Sequence, residues 1–392
     1  MRSDRDAPAN VGLHPLWMDT DPNGGIATYW SCLIAELGAL DGRNRYRVYY
    51  PNAGAARRAG AYLPAQFEAC VLRGASRWTV LALGLPFELA RHPVDLLHVQ
   101  SLAPPLTAAP VVQTINDLAW LLHPEVFPKL LRLRMEILCR RSARRAQRII
   151  TVSDFSKRQI VERYGIPDDK VVVTHHGVHG AYRVEDDPGR IAAVRRRYGL
   201  ADPFVLYVGK LQARKNLARL VRAYAACRRE AGLPHKLVLV GKRTYLSDDI
   251  FAAIAELRLE DDVKVLGEVP LADLPLLHAA SSLFVFPSLS EGFGLPPLEA
   301  MACGVPVVAS NATSLPEVVG DAGILVDPCD VGALARAMRD VLTTPTLAAD
   351  LRERGLRRVR LFSNRRMAER TLEVYEDVLR ALPRRSVPAS QG

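Results

Sequence analysis

The chain has 392 residues, more than one ordinary hydrophobic core organises, and this length predicts two domains. Its 49% hydrophobic and 24% charged residues are typical of a soluble globular enzyme, and the polar N-terminus lacks the apolar core of a signal peptide, so a cytoplasmic location is expected. The net charge of +10 suits nucleic acid, an anionic membrane surface or phosphorylated ligands, but no zinc-finger, RRM or KH signature accompanies it, so nucleic acid is not an expected partner.

Short apolar runs alternate with helical patterns along the whole chain, which predicts α/β domains with parallel strands covered by helices on both faces. Two series of runs, joined by the polar stretch 182–195, predict two doubly wound domains at residues 1–190 and 191–364. The last helical pattern, 365–382, is expected to cross back to the first domain, and residues 383–392 to form a disordered tail. The predicted strands are 11–16, 46–50, 95–99, 110–115, 147–152 and 170–174 in the first domain, and 204–208, 236–240, 262–266, 283–286, 305–309 and 324–326 in the second.

The connection between the first predicted strand and helix contains Gly24 and Gly25. Two glycines let the backbone approach a ligand closely, and the N-terminus of the following helix favours negative charge. An ordinary turn explains the same two residues, so this loop alone does not establish a site. Ligands of open α/β sheets bind outside the carboxyl ends of the strands, and with two such domains the expected active site is the cleft between them.

Residues 129–148 carry eight lysines and arginines interleaved with large apolar side chains. This pattern fits an amphipathic helix that rests on anionic lipid. It also fits a helix that packs on the domain and leaves a basic face in solvent. Peripheral contact with an anionic membrane is therefore an open alternative for this segment.

A cation-rich loop opens the second domain. Gly209 ends a predicted strand, a helix is expected to start near Asn216, and Lys210, Arg214 and Lys215 lie between them. Cations at a helix N-terminus neutralise the charge that develops on a leaving diphosphate, and they do so without a metal ion. A solvated basic loop is the alternative, but the position at a strand end favours an anion site.

Glu291 and Glu299 bracket the most informative segment of the chain. The segment follows the predicted strand 283–286 and precedes a helical pattern, so it predicts a glycine-containing turn whose backbone N–H groups face an anion. The two carboxylates flank that position, and each accepts hydrogen bonds from ligand hydroxyl groups. A ligand with a phosphate and hydroxyl-rich groups on either side of it is a nucleotide-sugar.

These motifs resemble those of the family 4 glycosyltransferases, which are retaining enzymes with the GT-B fold. Glu291 and Glu299 match the E-x7-E motif of that family inside SLSEGFGLPPLEAMACGVPVVAS, and YVGKLQARKN matches its donor-phosphate loop. NGGIATY resembles its glycine loop, and ITVSDFSKRQIVERYGIPDDKVVV resembles the end of its first domain. The similarity extends from about Val11 to Leu382. It implies two Rossmann-like domains facing across a cleft and transfer of a sugar from a nucleoside diphosphate to an acceptor hydroxyl.

The resemblance also implies residue roles. Glu299 would bind the donor ribose, Glu291 would contact the transferred sugar, and Lys210 and Lys215 would hold the diphosphate. The family usually has arginine where Lys210 stands, so the charge is kept but bidentate phosphate geometry is lost. The expected donor-binding residues are Gly24, Gly25, Gly209, Lys210, Arg214, Lys215, Glu291, Phe293, Gly294, Leu295 and Glu299, and the expected catalytic residues are Glu291, Asn116, Lys210 and Lys215.

Asn116 is a departure from the family pattern, because many relatives have histidine at this position, before Asp117 and Leu118. An amide does not titrate usefully and cannot be a general base. Retaining members are thought to react by same-face attack, in which the leaving phosphate takes the proton of the acceptor, so no enzymic nucleophile is required. Asn116 is then expected to orient the sugar.

The acceptor is expected to bind in the first domain, at Asp19, Asp21, His98, Asp117 and His175. Asp19 and Asp21 form the D-x-D letters of metal-dependent glycosyltransferases, but they precede the first helix, and no metal site is predicted. Two acids there would attract an amine-bearing acceptor such as an aminocyclitol. His175 also fits a structural residue of a turn. No cofactor is expected, since the nucleotide-sugar is a substrate.

Three interpretations of function stay open. A lipid-linked or surface-polysaccharide acceptor is favoured by the basic segment 129–148, and a soluble amine-bearing metabolite is favoured by the acidic loop. A non-catalytic nucleotide-sugar-binding or scaffold subunit is supported only by the departure at Asn116.

Overall fold

Two parallel β-sheets, one in each half of the chain, organise the fold. They are seen in a computed structural model that describes residues 8–16, 18, 24–60, 62–244 and 247–381. The predicted arrangement of two doubly wound α/β units is confirmed. The unit with the sheet nearer the N-terminus is called the first unit, and the unit with the other sheet is called the second unit. The domain boundaries at residues 190 and 364 stay predictions, and the tail predicted at 383–392 lies outside the described residues.

The first sheet has seven described strands, all of them parallel to their neighbours, in the order β3-β2-β1-β4-β5-β6-β7. Both of its faces are packed, because alternate side chains of one strand enter different cores: Leu96 lies in one core, and Leu97 and Val99 lie in the other. The strands are β1 (Asn10–His14), β2 (Arg45–Tyr50), β3 (Phe67–Val71), β4 (Leu96–Gln100), β5 (Val111–Thr114), β6 (Arg148–Thr151) and β7 (Val171–Val173).

Helices cover both faces of this sheet. A π-helical turn, Val80–Gly84, joins the third helix to the fourth inside the most apolar part of the chain. The helices are α1 (Gly25–Leu40), α2 (Ala53–Gly60), α3 (Arg77–Thr79), α4 (Leu85–Arg91), α5 (Ala119–Leu122), α6 (Lys129–Arg145) and α7 (Asp154–Tyr164).

The second sheet has six described strands in the order β10-β9-β8-β11-β12-β13, again all parallel. Its strands are β8 (Phe204–Val208), β9 (Lys236–Val240), β10 (Val263–Gly267), β11 (Leu283–Phe286), β12 (Val307–Ser310) and β13 (Ile324–Val326). The helices of this half are α8 (Pro188–Arg197), α9 (Leu217–Ala231), α10 (Asp248–Glu256), α11 (Leu274–Ala280), α12 (Leu295–Ala302), α13 (Leu315–Val319), α14 (Val331–Thr343), α15 (Pro345–Val359) and α16 (Asn364–Ala381).

All twelve predicted strands are present, and β3 is one that the sequence analysis missed. This strand lies at the edge of the first sheet and pairs only with β2. Its Glu68 and Val71 side chains are exposed, so it lacks the continuous apolar run by which buried parallel strands are recognised.

The last helix, α16, packs against α1, β4 and β6 of the first unit. The Tyr375 hydroxyl lies 2.5 Å from Nδ1 of His98, and the Thr114 hydroxyl lies 2.6 Å from Nε2 of the same ring. Both histidine nitrogens are thus satisfied inside the core, and burial lowers the pKa of His98 to about 3. The prediction that His98 binds acceptor is wrong, because this neutral, fully buried side chain holds the C-terminal helix instead.

Among the described helices, none combines the length and the apolar character that crossing a bilayer requires.

Replacing Tyr375 by phenylalanine removes the hydroxyl and leaves Nδ1 of His98 buried without its partner. An unsatisfied buried polar atom costs about 1–3 kcal/mol, and we expect the free energy of unfolding to fall by that amount in urea denaturation. Tyr62→Phe is the matched control, since this ring is 87% exposed. Equal stability of the two variants would contradict the role assigned to Tyr375.

Candidate active site

Two loops meet at the carboxyl edge of the second sheet. The loop 209–216 follows β8 and the loop 287–294 follows β11, and these two strands are neighbours in the sheet. Because parallel neighbours end at the same edge, the cations of the first loop and the carboxylate of the second are brought together. The backbone of Leu289 donates to the carbonyl of Arg214 at 2.9 Å, which fixes the loops against each other.

Glu291 is held by two cations. One carboxylate oxygen accepts a hydrogen bond from Nζ of Lys215, and the other accepts one from Nη1 of Arg214 at 3.2 Å. Burial alone would raise the pKa of Glu291, but the charges of Lys215 and Arg214 outweigh it and lower this pKa to about 2. Glu291 is therefore ionised and fixed in direction.

Lys215 is buried, and burial disfavours its positive charge. Burial is the main cause that lowers its pKa to about 8; Glu291 opposes this shift and the neighbouring Arg214 adds to it. The ion-paired trio has two cations for one carboxylate, so it holds one positive charge in excess. An added anion would stabilise the protonated lysine, and anion binding at the trio stays a prediction.

The backbone of the Glu291 loop is fixed by side chains of the following segment. Thr313 accepts from the Glu291 amide at 3.0 Å, and the Ser314 hydroxyl donates to the carbonyls of Glu291 and Phe293 at 3.0 and 2.7 Å. Gly294 precedes α12 with a φ of +106°, a conformation that suits glycine, and a Cβ there would lie 2.5 Å from the Leu315 side chain. Leu295 then begins the helix.

Glu299 lies one turn further along α12 and is only 9% exposed. Burial raises its pKa to about 7, and a hydrogen bond from Tyr182 partly opposes this shift. The charge of Glu299 contributes to the raised pKa of Cys32 in α1. Glu299 therefore lies near this helix of the first unit, which begins at Gly25. The two glutamates therefore differ: one is held ionised by cations and the other titrates near neutrality.

The glycines at the ends of the strands let neighbouring loops approach closely. Gly241, after β9, has a φ of +144°, and a Cβ there would lie 2.0 Å from the carbonyl oxygen of Gly209. Gly209 itself has a φ of +149° and donates its N–H to Val240 at 2.9 Å. Lys210 follows it and is exposed. This edge is thus shaped by backbone rather than by side chains.

Asn116 and Asp117 of the first unit contact this edge of the second unit. A Cβ on Gly292 would lie 2.9 Å from the carbonyl oxygen of Asn116 and 2.8 Å from Cβ of Asp117, so only glycine fits the contact. Although burial lowers the pKa of Arg214, the carboxylates of Glu291 and Asp117 raise it on balance. Asp117 therefore lies near the ion-paired trio, and the predicted site residues of the two units come together here.

Glu317 of α13 forms a second contact between the units. Its carboxylate accepts from the first two free amides of α7, those of Asp154 and Phe155, at 2.8 and 3.1 Å. It also lies 2.7 Å from Nε2 of His175. A carboxylate at a helix N-terminus is favoured by the helix dipole as well as by the hydrogen bonds. Glu317 thus caps a helix of the other unit.

His175 consequently serves a contact between the units, and its predicted role in acceptor binding stays a prediction. Asp19 and Asp21 lie outside the described residues. Sequence reasoning missed Glu317 and Tyr182, whose partners are distant in the chain. It also missed Ser153, although Ser153-Asp154-Phe155-Ser156 has the pattern of a helix N-cap.

One group of side chains has the spacing of a metal site. Among the described residues, Asp154, His175 and Glu317 are the one group of three whose histidine and carboxylate ligand atoms all lie within 4.8 Å of one another. Two of these residues are already paired with each other, and Glu317 also serves the amides of α7. The group is accounted for as the contact between the units.

Family models match both halves of the chain: "Glycosyltransferase Family 4" at residues 23–181 and "Glycosyl transferases group 1" at residues 194–358. An O-antigen chain mannosyltransferase B from Escherichia coli is 38% identical over 266 residues, which cover 68% of this chain and 70% of that protein. A GDP-mannose-dependent alpha-(1-6)-phosphatidylinositol monomannoside mannosyltransferase from Mycolicibacterium smegmatis is 35% identical over 210 residues, covering 47% of this chain and 54% of that protein. The chain belongs to glycosyltransferase family 4.

Solved structures share the arrangement of the two sheets. A sucrose-phosphate synthase from Thermosynechococcus elongatus superposes with a TM-score of 0.76 at 22% identity, over 95% of this chain and 100% of that one. At this identity the similarity shows the fold alone. The predicted GT-B fold is confirmed.

Glu317→Ala removes the acceptor that protects the first two amides of α7. A hydrogen bond to a charged group contributes about 1.5–3 kcal/mol, so we expect hydrogen exchange at these amides to become about 10- to 100-fold faster. Mass spectrometry of a peptide spanning residues 152–160 measures the rate. Glu353→Ala, on the exposed surface of α15, is the control. Unchanged exchange in Glu317→Ala would show that the two units do not hold this contact in solution.

Proposed function

We propose that the protein transfers mannose from GDP-mannose to a hydroxyl group of a lipid-carried cell-surface glycan, with retention of configuration and without a metal ion. The similarity to an O-antigen chain mannosyltransferase supports the sugar and the acceptor class, and the similarity to a GDP-mannose-dependent enzyme supports the donor. The observation that carries the proposal is the trio of Glu291, Arg214 and Lys215 at the cleft, with its excess positive charge.

In the proposed complex, the diphosphate of the donor lies beside Arg214 and Lys215. A leaving diphosphate gains negative charge as the bond between the anomeric carbon and the phosphate oxygen breaks. Two fixed cations in a partly buried position stabilise that charge more than water does, because they need no reorganisation during the reaction. The exposed Lys210 adds a third cation at the same strand end. These side chains supply charge neutralisation that other transferases obtain from a metal ion.

Glu291 orients the sugar. Its carboxylate is fixed by the two cations, and its remaining lone pairs accept hydrogen bonds from sugar hydroxyl groups. The pKa of about 2 keeps it an acceptor at every physiological pH. Because its charge is already paired, it serves as an orienting group and not as a proton-transferring base.

The acceptor hydroxyl attacks from the side on which the diphosphate leaves. Its oxygen forms the new bond to the anomeric carbon, and its proton passes to the departing phosphate oxygen, so charge and atoms balance without an enzymic base. Asn116, which cannot titrate, is consistent with this route. Its backbone carbonyl lies beside Gly292, and its side-chain oxygen accepts a hydrogen bond from Gln100 at 3.4 Å, which leaves the amide N–H groups to orient the sugar or the acceptor.

Glu299 is the proposed ribose ligand. A hydrogen bond from Tyr182 lowers the pKa of this carboxylate and partly opposes the effect of burial. Ribose hydroxyl groups would replace or join the tyrosine, and they would favour the ionised carboxylate because it accepts more hydrogen bonds than the acid.

The test is a transfer assay with GDP-mannose, compared with UDP-glucose and ADP-glucose, in the presence and absence of EDTA. We expect transfer from GDP-mannose that EDTA does not reduce. Lys215→Met removes one stabilising cation, and we expect kcat to fall about 100- to 1000-fold. Lys264→Met, at an exposed lysine that contacts the Gly199 carbonyl, should stay within about twofold of the unchanged protein.

Loss of activity in EDTA, with recovery on adding a divalent cation, would contradict the metal-free route. Equal kcat values for Lys215→Met and Lys264→Met would contradict the role assigned to Lys215 in stabilising the leaving diphosphate. Absence of transfer from all three donors, with nucleotide binding intact, would favour a non-catalytic binding subunit.

A further inference from the structure

One face of α6 takes no part in the packing of the first unit. Leu130, Leu133 and Ile137 follow the i, i+3, i+7 spacing of a single helix face and are 60%, 53% and 56% exposed. Arg141 and Arg144 continue this face toward the end of the helix and are also exposed. The side chains of the opposite face are buried: Met135, Cys139, Ser142 and Ala143. We call the outward face, Leu130 to Arg145, the α6 face.

Exposed apolar side chains are concentrated in the first unit. Of the eleven exposed large hydrophobic side chains among the described residues, nine lie in that unit and four lie in α6. Scattered single residues of this kind need no explanation, but a row of them on one helix face does. A row of apolar side chains exposed to water on one helix face indicates a surface to which a partner binds.

The second half of the α6 face is strongly basic. Arg140, Arg141, Arg144 and Arg145, together with Ile137, line an open cavity of about 440 Å³. In the described part of the chain, none of these four arginines has a carboxylate within salt-bridge distance, and the helix carries seven basic residues against one acid. Arg145 donates to the carbonyl of Pro105 at 2.9 Å. Arginines that lack a carboxylate partner around a cavity attract phosphate groups, which guanidinium recognises with paired hydrogen bonds.

We propose that the α6 face binds an anionic lipid bilayer. Its apolar half enters the interfacial region of the bilayer, and lipid phosphates occupy the cavity among the arginines. An amphipathic helix with a basic portion and low mean hydropathy lies in the plane of such a surface and does not cross it. Charge complementarity selects anionic over neutral lipid, since each arginine near the surface adds to the attraction.

The position of α6 relates this surface to the cleft. The helix runs between β5 and β6, antiparallel to both, so it begins at the sheet edge where those strands end. Asn116 and Asp117 lie at that same edge. The apolar half of the α6 face is therefore the half nearer the cleft. Resting on the proposed function, this placement brings a lipid-carried acceptor to the cleft opening.

The experiment is sedimentation of the full chain with vesicles made of phosphatidylglycerol and phosphatidylcholine in equal parts, compared with vesicles of phosphatidylcholine alone. We expect binding to the first and not to the second. High salt should weaken it, because the screening length falls from about 10 Å at 0.1 M to about 3 Å at 1 M. The Arg141→Glu, Arg144→Glu double variant should bind at least about 30-fold more weakly. Leu133→Gln with Ile137→Gln should weaken binding about tenfold.

Matched controls distinguish the effect of the α6 face from the effect of a change in net charge or in exposed apolar surface elsewhere. Arg57→Glu with Arg58→Glu makes the same charge change on exposed positions of α2 and should leave binding unchanged. Leu271→Gln with Leu361→Gln alters exposed leucines of the second unit and should also have no effect. All variants change exposed positions, and circular dichroism checks that each is folded.

Equal binding to both vesicle types would overturn the proposal, as would equal loss of binding in the α2 control. Preferential binding to duplex DNA at the same phosphate concentration would overturn it in favour of a nucleic-acid surface. Transfer to a water-soluble glycan acceptor separates this inference from the proposed function: the α6 variants should keep that activity. If neither the unchanged protein nor any variant transfers sugar, the proposed function fails, and the vesicle experiment still tests membrane binding independently.

Discussion

The ion-paired trio of Glu291, Arg214 and Lys215 is the interaction on which the site depends. A carboxylate this buried would be protonated if it were alone, and a buried lysine would lose its charge. Together they are retained as ions, with one positive charge in excess and with Asp117 of the other unit close by. The trio exists because β8 and β11 are neighbours and both end at the cleft. We propose that the donor diphosphate binds beside these two cations.

Contacts between the two units support the same edge. Gly292 admits the backbone of Asn116 at a distance that no side chain allows, and Ser153 donates to the Gly292 carbonyl at 2.6 Å. Glu317 caps α7 from the opposite unit. These contacts place the first unit against the loop that carries Glu291. The geometry of the site is therefore a property of both units together.

The sequence allowed prediction of the parallel strands and the central cations, and the structure shows why. Buried parallel strands are continuous apolar runs, so twelve were predicted, whereas the half-exposed edge strand β3 was missed. Lys215 and Glu291 were found because both follow strands of one sheet. His98 was predicted near the end of a strand, but it lies in the middle of β4, where α16 packs over it and buries it, which no local pattern indicates. Glu317 and Tyr182 were not predicted for the same reason, because each contacts a partner that is distant in the sequence and close only in the folded chain.

The most direct test of the trio is the proton uptake that accompanies GDP binding at pH 8, obtained by calorimetry in buffers of different ionisation enthalpy. Lys215 is about half protonated at that pH, and a bound diphosphate raises its pKa, so we predict uptake of about half a proton and weaker affinity above pH 8. Glu299, with a pKa of about 7, is already mostly ionised and contributes little. In Lys215→Arg the cation stays charged, and the uptake should vanish while binding remains. Binding without proton uptake, or equal uptake in Lys215→Arg, would show that the diphosphate does not lie at this lysine.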